Sequence, residues 1–317
     1  MVALHRPASS GHARPAPRSS RIVRFKTVTS ADGTRIEAWT NAADGPTVLL
    51  CNGLGSNPYA WPELLRADCG LRVVSWNHRG VGRSARPADP GRVGVEAFVE
   101  DAVAVLDSLG VERCVVAGWS IGVNTAFELA VRHPERVSGL FAVAGVPGGT
   151  FTAMGAPLLV PRPFRTPLTT GAARAVRLVG PVVTPVARRV PMGPVTTTAL
   201  RFSGIVWPTA SYGDVRRVTR EFLTTPIEWY MHLALAAAEH LPVQLSRVEV
   251  PTAFVAGRYD VLASSRDIRA AAERIDGATY VELWGTHYLP LERSAEVTAL
   301  LRELVARAEP PPEDGGD

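Results

Sequence analysis

The chain has 317 residues, of which 46% are apolar and 20% charged, with a formal net charge of +4. Apolar material on that scale supports a sizeable core and excludes a disordered chain, and no run approaches the roughly eighteen apolar residues of a membrane span. Cys51, Cys69 and Cys114 are odd in number, and two of them sit in strand-like apolar runs. They read as small buried thiols, and no metal-ligand spacing occurs.

Charge is spread unevenly. Residues 1–26 carry six basic groups and no acid, and residues 148–220 carry ten arginines against Asp214 alone. Those two segments hold about +6 and +9, leaving about −11 on everything else. Lys26 is the only lysine. The N-terminus has arginines and prolines but no apolar signal-peptide core, so a cytoplasmic location is expected.

Residues 1–20 are rich in Ser, Pro, Ala and Arg without periodicity and read as a disordered basic tail. Its arginines could touch nucleic acid or anionic lipid, but a short solvated basic tail usually does nothing specific, and no nucleic-acid partner is expected. A β-hairpin follows, with Ile22–Val28 and Arg35–Thr40 joined at Ala31-Asp32-Gly33. Thr47–Cys51 is a continuous apolar run, hence an interior strand, and it ends in Asn52-Gly53-Leu54-Gly55-Ser56. A short helix is expected over Pro58–Ala67, a strand over Leu71–Trp76, and then a structured turn, Asn77-His78-Arg79-Gly80-Val81-Gly82-Arg83-Ser84. His78 there reads as a packed residue, not a base. Val93–Leu109 is amphipathic, with Val95, Phe98, Val99, Ala102, Val105 and Leu106 on one stripe.

Cys114–Ala117 then makes a buried strand, a helix runs to His133, and Val137–Val146 is another interior strand. Strand and helix alternate, which implies a doubly wound, mostly parallel α/β sheet. The alternation stops near Pro147 and resumes near Val250. The interruption holds many prolines, among them Pro157, Pro161, Pro163, Pro167, Pro181, Pro185, Pro191 and Pro194, and short helical stretches are expected between them. A helix over Pro226–Glu239 closes it. The second half brings a strand ending at Gly257, a helix over 264–275, a last strand Thr279–Trp284, a helix over 294–307, and an acidic, Pro/Gly-rich end.

Chemistry concentrates at Gly118-Trp119-Ser120-Ile121-Gly122, between a buried strand and a helix. A turn that tight leaves no room for side chains two before and two after the serine, and it lifts the hydroxyl clear of the sheet. The following helix offers unpaired N–H groups and the positive end of its dipole to a developing oxyanion. Asp260 ends a strand in Gly257-Arg258-Tyr259-Asp260, and His287 falls in the loop after the last strand.

This elbow, the Gly-x-x-Asp and the late His, in the order Ser, Asp, His, resemble the α/β-hydrolase superfamily in its serine-nucleophile, capped form. The resemblance spans roughly residues 25–307. It implies a core over 21–147 and 241–309, a mainly helical cap over 148–240 that roofs the site, and disordered ends at 1–20 and 310–317. It assigns Ser120 as nucleophile, His287 as base and Asp260 as the acid that orients it. Asp101, Asp107, Glu112, Asp214 and Asp267 lose that role on position. The backbone N–H groups of Leu54 and Ile121 take the oxyanion role. Asn52 stands where the family usually has His, so the bonds supporting that loop must differ, and Asn77 stands where it commonly has Asp. Trp119, Trp207, Trp229, Tyr230, Met231 and Tyr288 are the candidate substrate-binding residues, with Phe222 and Leu233 as further cap walls of which about half should reach the pocket.

The expected activity is hydrolysis of a carboxylic ester or thioester of a small or medium apolar substrate, without a cofactor or metal. Carbon–carbon bond hydrolysis and cofactor-free perhydrolysis share the same triad, and a ligand-binding protein with vestigial turnover is a further reading. Serine at the elbow disfavours epoxide or haloalkane chemistry, which uses Asp there in this superfamily. The cap arginines suit an anionic or carrier-bound acyl substrate, a membrane surface, or a plain solvated face.

Overall fold

The computed structural model describes residues 20–149 and 161–309. The tails expected over 1–20, Ser20 apart, and over 310–317 lie outside the described residues, as do Pro157 and the rest of 150–160. Eight strands form one sheet: β1 (Arg24–Thr29), β2 (Arg35–Thr40), β3 (Thr47–Cys51), β4 (Arg72–Trp76), β5 (Cys114–Trp119), β6 (Val137–Val143), β7 (Thr252–Gly257) and β8 (Thr279–Leu283). Their spatial order is β1-β2-β4-β3-β5-β6-β7-β8. The β1–β2 hairpin lies antiparallel at one edge, and β2 also meets β4 antiparallel. From β4 onward every pairing is parallel. A doubly wound, mostly parallel sheet is therefore what the alternating pattern produces.

Both faces of the sheet are covered, which is why the interior strands read as continuous apolar runs. Leu49, Val74, Val116 and Leu140 pack on one side with Phe98 and Leu106 of α1 (Val95–Ser108) and Phe127 of α2 (Gly122–Arg132). Their neighbours along the same strands, Val48, Leu50, Val73 and Val115, point the other way, toward Trp61, Leu64 and the C-terminal helix. The period of two in side-chain direction divides a single apolar run between two cores.

Among the described residues four helices lie between β6 and β7: α3 (Arg162–Arg189), α4 (Pro194–Phe202), α5 (Tyr212–Phe222) and α6 (Ile227–Ala238). After β7 come α7 (Ser265–Ala272), a single helical turn at Leu289–Glu292, and α8 (Ser294–Ala308). The structure corrects two expectations. The prolines do not break the insertion into short helices, because Pro167, Pro181 and Pro185 all lie inside the 28-residue α3. Pro181 and Pro185 sit on its exposed side, so the carbonyls their missing N–H groups leave unpaired are not sealed in the core. The helix expected over Pro58–Ala67 is only one 3-10 turn, Pro58–Ala60, followed by turns. Its Leu64 and Leu65 are buried as core residues without needing helical periodicity.

The turn after β4 is tied down by charge. Arg79 is fully buried and reaches the Asp101 carboxylate at 2.8 Å, the Asp32 carboxylate at 2.5 Å and Ser30 Oγ at 3.1 Å. Asn77, where an acid is the family norm, donates to Glu37 at 2.6 Å. His78 is buried against Phe98, ring centroids 4.6 Å apart, and burial lowers its pKa to about 4. The insertion leans on this turn, since Trp229 Nε1 of α6 donates to Arg79 O at 2.8 Å.

Candidate active site

Ser120 connects the end of β5 to the start of α2 with a φ of +56°, a conformation costly for a residue with a side chain. Its neighbours hold it there. A Cβ on Gly118 would stand 2.7 Å from Gly122 O, and one on Gly122 would strike the carbonyl oxygen of Cys51 and lie 2.7 Å from that of Asn52. Only glycine fits either position. The Ser120 amide donates to Val143 O at 2.9 Å, fastening the elbow to the next strand.

His287 comes from the loop after β8 and Asp260 from the loop after β7, adjacent parallel strands that present both loops at one end of the sheet. Ser120 Oγ lies 2.7 Å from His287 Nε2, and His287 Nδ1 lies 2.9 Å from Asp260 Oδ2. A carboxylate only accepts, so Nδ1 carries the proton and Nε2 is left to accept from the serine hydroxyl. The other carboxylate oxygen, Oδ1, accepts the amides of Leu262 and Ala263, each at 2.8 Å. Asp260 and His287 are only 3% and 8% exposed, which keeps competing water from both hydrogen bonds.

The His287 loop has a support that sequence reasoning missed. Buried Glu292 accepts from the Thr286 amide at 2.7 Å and the Thr286 hydroxyl at 2.6 Å, directly before His287. The same carboxylate accepts the Trp207 amide at 2.8 Å, so it joins the histidine loop to the insertion. Nothing in the local pattern Leu289-Pro290-Leu291-Glu292 marks that role, because its partners are 6 and 85 residues away. On the opposite side, Trp119 Nε1 donates to His287 O at 2.9 Å.

Of the two residues expected to supply oxyanion amides, Leu54 lies beside the cavity and Ile121 is the N-cap residue of α2. Among the described residues neither amide donates a hydrogen bond. The Leu54 loop is braced by the unusual Asn52, whose Oδ1 accepts Trp61 Nε1 at 3.0 Å and the Gly53 amide at 3.2 Å. Asn57 ties the same loop to the insertion through Val218 O at 3.3 Å.

Ser120 and His287 open into a cavity of about 310 Å³ between the sheet and the insertion. Its walls are mainly apolar: Leu54 and Trp119 from the core, and Val215, Val218 and Phe222 of α5 with Tyr230 of α6 above. Tyr288 completes it, and burial pushes the pKa of the Tyr288 and Tyr230 hydroxyls up from their ordinary value. Among the described residues no arginine lines it, so the arginine excess acts elsewhere.

Of the expected binding residues, Trp119, Tyr230 and Tyr288 line this cavity, as does Phe222. Trp207, Trp229 and Met231 do not, and Leu233 is core. Trp207 stacks on Tyr259 at 5.0 Å, and Trp229 is spent on the Arg79–Gly80 turn with the Arg86 guanidinium 4.3 Å over its ring. Met231 is half-buried on another side of α6. The lining that was missed on α5, Val215 and Val218, was readable from its helical spacing to Phe222. Cys51, Cys69 and Cys114 are free and buried, and burial pushes the Cys114 thiol up to about 12. Among the described residues no three His, Cys, Asp or Glu side chains cluster as metal ligands, and no helix is long and apolar enough to cross a membrane.

Residues 46–168 match the family model described as alpha/beta hydrolase fold. Among solved structures, a thermophilic esterase from Thermogutta terrifontis superposes with a TM-score of 0.65 at 22% identity, covering 90% of this chain and 99% of that one. The chain has the α/β-hydrolase fold. A second α/β-hydrolase neighbour, the enol-lactonase from Burkholderia xenovorans LB400, gives a TM-score of 0.63 at 22% identity over 89% of this chain and all of the other. In sequence the chain is 42% identical over 106 residues to a protein of Caulobacter sp. (strain K31) named "Putative carbamate hydrolase RutD", covering 33% of this chain and 39% of that one. It is 33% identical over 133 residues to Epoxide hydrolase B of Mycobacterium tuberculosis (strain ATCC 25618 / H37Rv), covering 38% and 37%. The match thus spans about two fifths of the length of these curated relatives.

Proposed function

We propose that this chain of α/β-hydrolase fold is a serine hydrolase that cleaves a carboxylic ester or thioester with a small or medium apolar acyl group. The observation that carries the reading is the relay Asp260–His287–Ser120, hydrogen-bonded at 2.9 and 2.7 Å and ending at an apolar cavity. His287 takes the Ser120 proton as Oγ attacks the acyl carbonyl carbon, and the Leu54 and Ile121 amides bind the resulting oxyanion. Each such donor contributes about 3 to 4 kcal/mol of transition-state stabilisation. His287 then protonates the leaving alcohol or thiol, the acyl-enzyme remains, and His287 activates water to release the acid. In this reading residues 148–240 are the cap, α5 and α6 roof the acyl pocket, and no cofactor takes part.

The relative named as an epoxide hydrolase does not carry over its chemistry easily, because Ser120 stands where that chemistry has an aspartate. A carbamate also offers a carbonyl carbon to a serine nucleophile, but it is not a carboxylic ester and lies outside the proposal. The test is hydrolysis of p-nitrophenyl acyl esters of increasing chain length. Wild type should show a chain-length optimum, Phe222→Ala should move it to longer chains, and Ser120→Ala should lose turnover by about a millionfold while folding normally. Equal rates for Ser120→Ala would sink the reading.

A further inference from the structure

Helix α3 packs inside out for a surface helix. Its buried side is made of small residues, Ala173, Gly180 and Thr184. A Cβ at Gly180 would stand 2.7 Å from the Glu228 amide nitrogen of α6. Thr184 Oγ1 accepts the Ile227 amide at 2.9 Å and donates to the Glu228 carboxylate at 2.9 Å, so it caps α6. The bulky side chains point away. Phe164, Leu168, Leu178, Val179, Val182 and Val186 fall on one stripe at helical periodicity, and Leu178 and Val182 are 82% and 76% exposed. A contiguous apolar stripe left in water marks a docking surface.

Charge identifies what docks there. α3 carries six arginines and no acid. Arg174 and Arg189 border the stripe and Arg177 and Arg188 lie further round the helix; all four are exposed, and among the described residues no carboxylate pairs with them. At the C-terminal end of the helix a groove is lined by Arg188, Arg189, Val190, Met192, Arg220 and Leu223, and Leu223 also lines the Ser120 cavity. A second copy on this face would bring like-charged arginine rows together, whereas an anionic surface with an apolar layer beneath satisfies both features. We propose that the outer face of α3, with the arginine groove at its end, docks on an anionic lipid bilayer. The apolar stripe then enters the boundary between headgroups and acyl chains, and the guanidiniums meet lipid phosphates.

The test is co-sedimentation of the full chain with vesicles of phosphatidylcholine alone, and with vesicles in which about one third of the lipid is phosphatidylglycerol. Wild type should pellet only with the anionic vesicles and detach as salt is raised. Leu178→Ser/Val182→Ser should weaken binding by about tenfold or more, and Arg188→Gln/Arg189→Gln by about fivefold for each arginine neutralised. Unfolding midpoints of all variants should match wild type, so that lost binding reports the surface and not the fold. The proposal is overturned by no binding to anionic vesicles, by equal binding to both vesicle types, or by unchanged binding of the Leu178/Val182 variant. A wild-type dimer in light scattering that this variant dissociates would also overturn it, by assigning the face to a second copy.

Discussion

The sheet and the insertion are built by opposite rules. β5, β6 and β7 bury every side chain, and the loops at their ends hold Ser120, Asp260 and His287 by bonds that leave little choice of rotamer. The insertion buries glycine and threonine on α3 and leaves Leu178 and Val182 in solvent. It is fastened to the core by scattered bonds, from Trp229 to Arg79, from Trp207 to Glu292 and from Asn57 to Val218. A sheet packed on both sides over-determines its loops and so sustains a strained serine. A segment held at a few points is free to shape a pocket below and present a surface above.

Asp260→Asn tests the rigid half and should have the largest effect short of removing Ser120 itself. The carboxamide oxygen can still accept the Leu262 and Ala263 amides, but an NH2 group facing Nδ1 favours the wrong tautomer of His287. Turnover should fall by about ten thousandfold with the fold intact; a mild loss in the ester assay would place the acid elsewhere.

His78 probes the packing beneath the same half. Its pKa is lowered to about 4 by burial, so the unfolded chain binds the extra proton as pH falls below about 6.5. The contribution of neutral, buried His78 is therefore complete above pH ~6.5 and lost as pH falls toward about 4, by at most about 3 kcal/mol. Urea unfolding of wild type and His78→Phe across this window should show a smaller acid loss in the variant. Parallel curves would mean that His78 charges freely in the folded state.

Glu292→Gln tests the joint between the two halves. It should cost about 2 kcal/mol in urea unfolding, because the Thr286 and Trp207 amides lose a charged acceptor, and it should lower kcat by loosening His287. Unchanged kcat would show that the loop holds its geometry without the carboxylate. The smallest effect belongs to the outer face of α3, where Leu178→Ser should alter stability by less than about 0.5 kcal/mol. A loss of several kcal/mol there would mean that the face is covered in the folded chain.

The same contrast explains what could be read from the sequence. The elbow was legible because Gly118, Ser120 and Gly122 solve a local steric problem within five residues. Asp260 was legible because it follows the buried apolar run Thr252–Gly257, and His287 because it follows the last strand, Thr279–Leu283. Glu292 was invisible, since its value lies in bonds to Thr286 and Trp207 that only the folded chain brings together. The prolines misled because their local preference against helix was overridden by packing: Gly180 and Thr184 lock α3 onto α6, and Pro181 and Pro185 fall on its exposed side. The large aromatics of the insertion misled for the reverse reason. Size fits Trp207 and Trp229 equally for a pocket wall or an anchor, and the Trp207 ring stacks on Tyr259 while the Trp229 indole NH is spent on Arg79 O.

The most direct test of the central claim is intact-mass analysis after treatment with a fluorophosphonate, for wild type, Ser120→Ala and His287→Ala. Wild type should gain the mass of one phosphonyl adduct, Ser120→Ala should gain none, and His287→Ala should react far more slowly. An adduct on Ser120→Ala, or none on folded wild type, would contradict a nucleophilic Ser120 activated by His287 and Asp260.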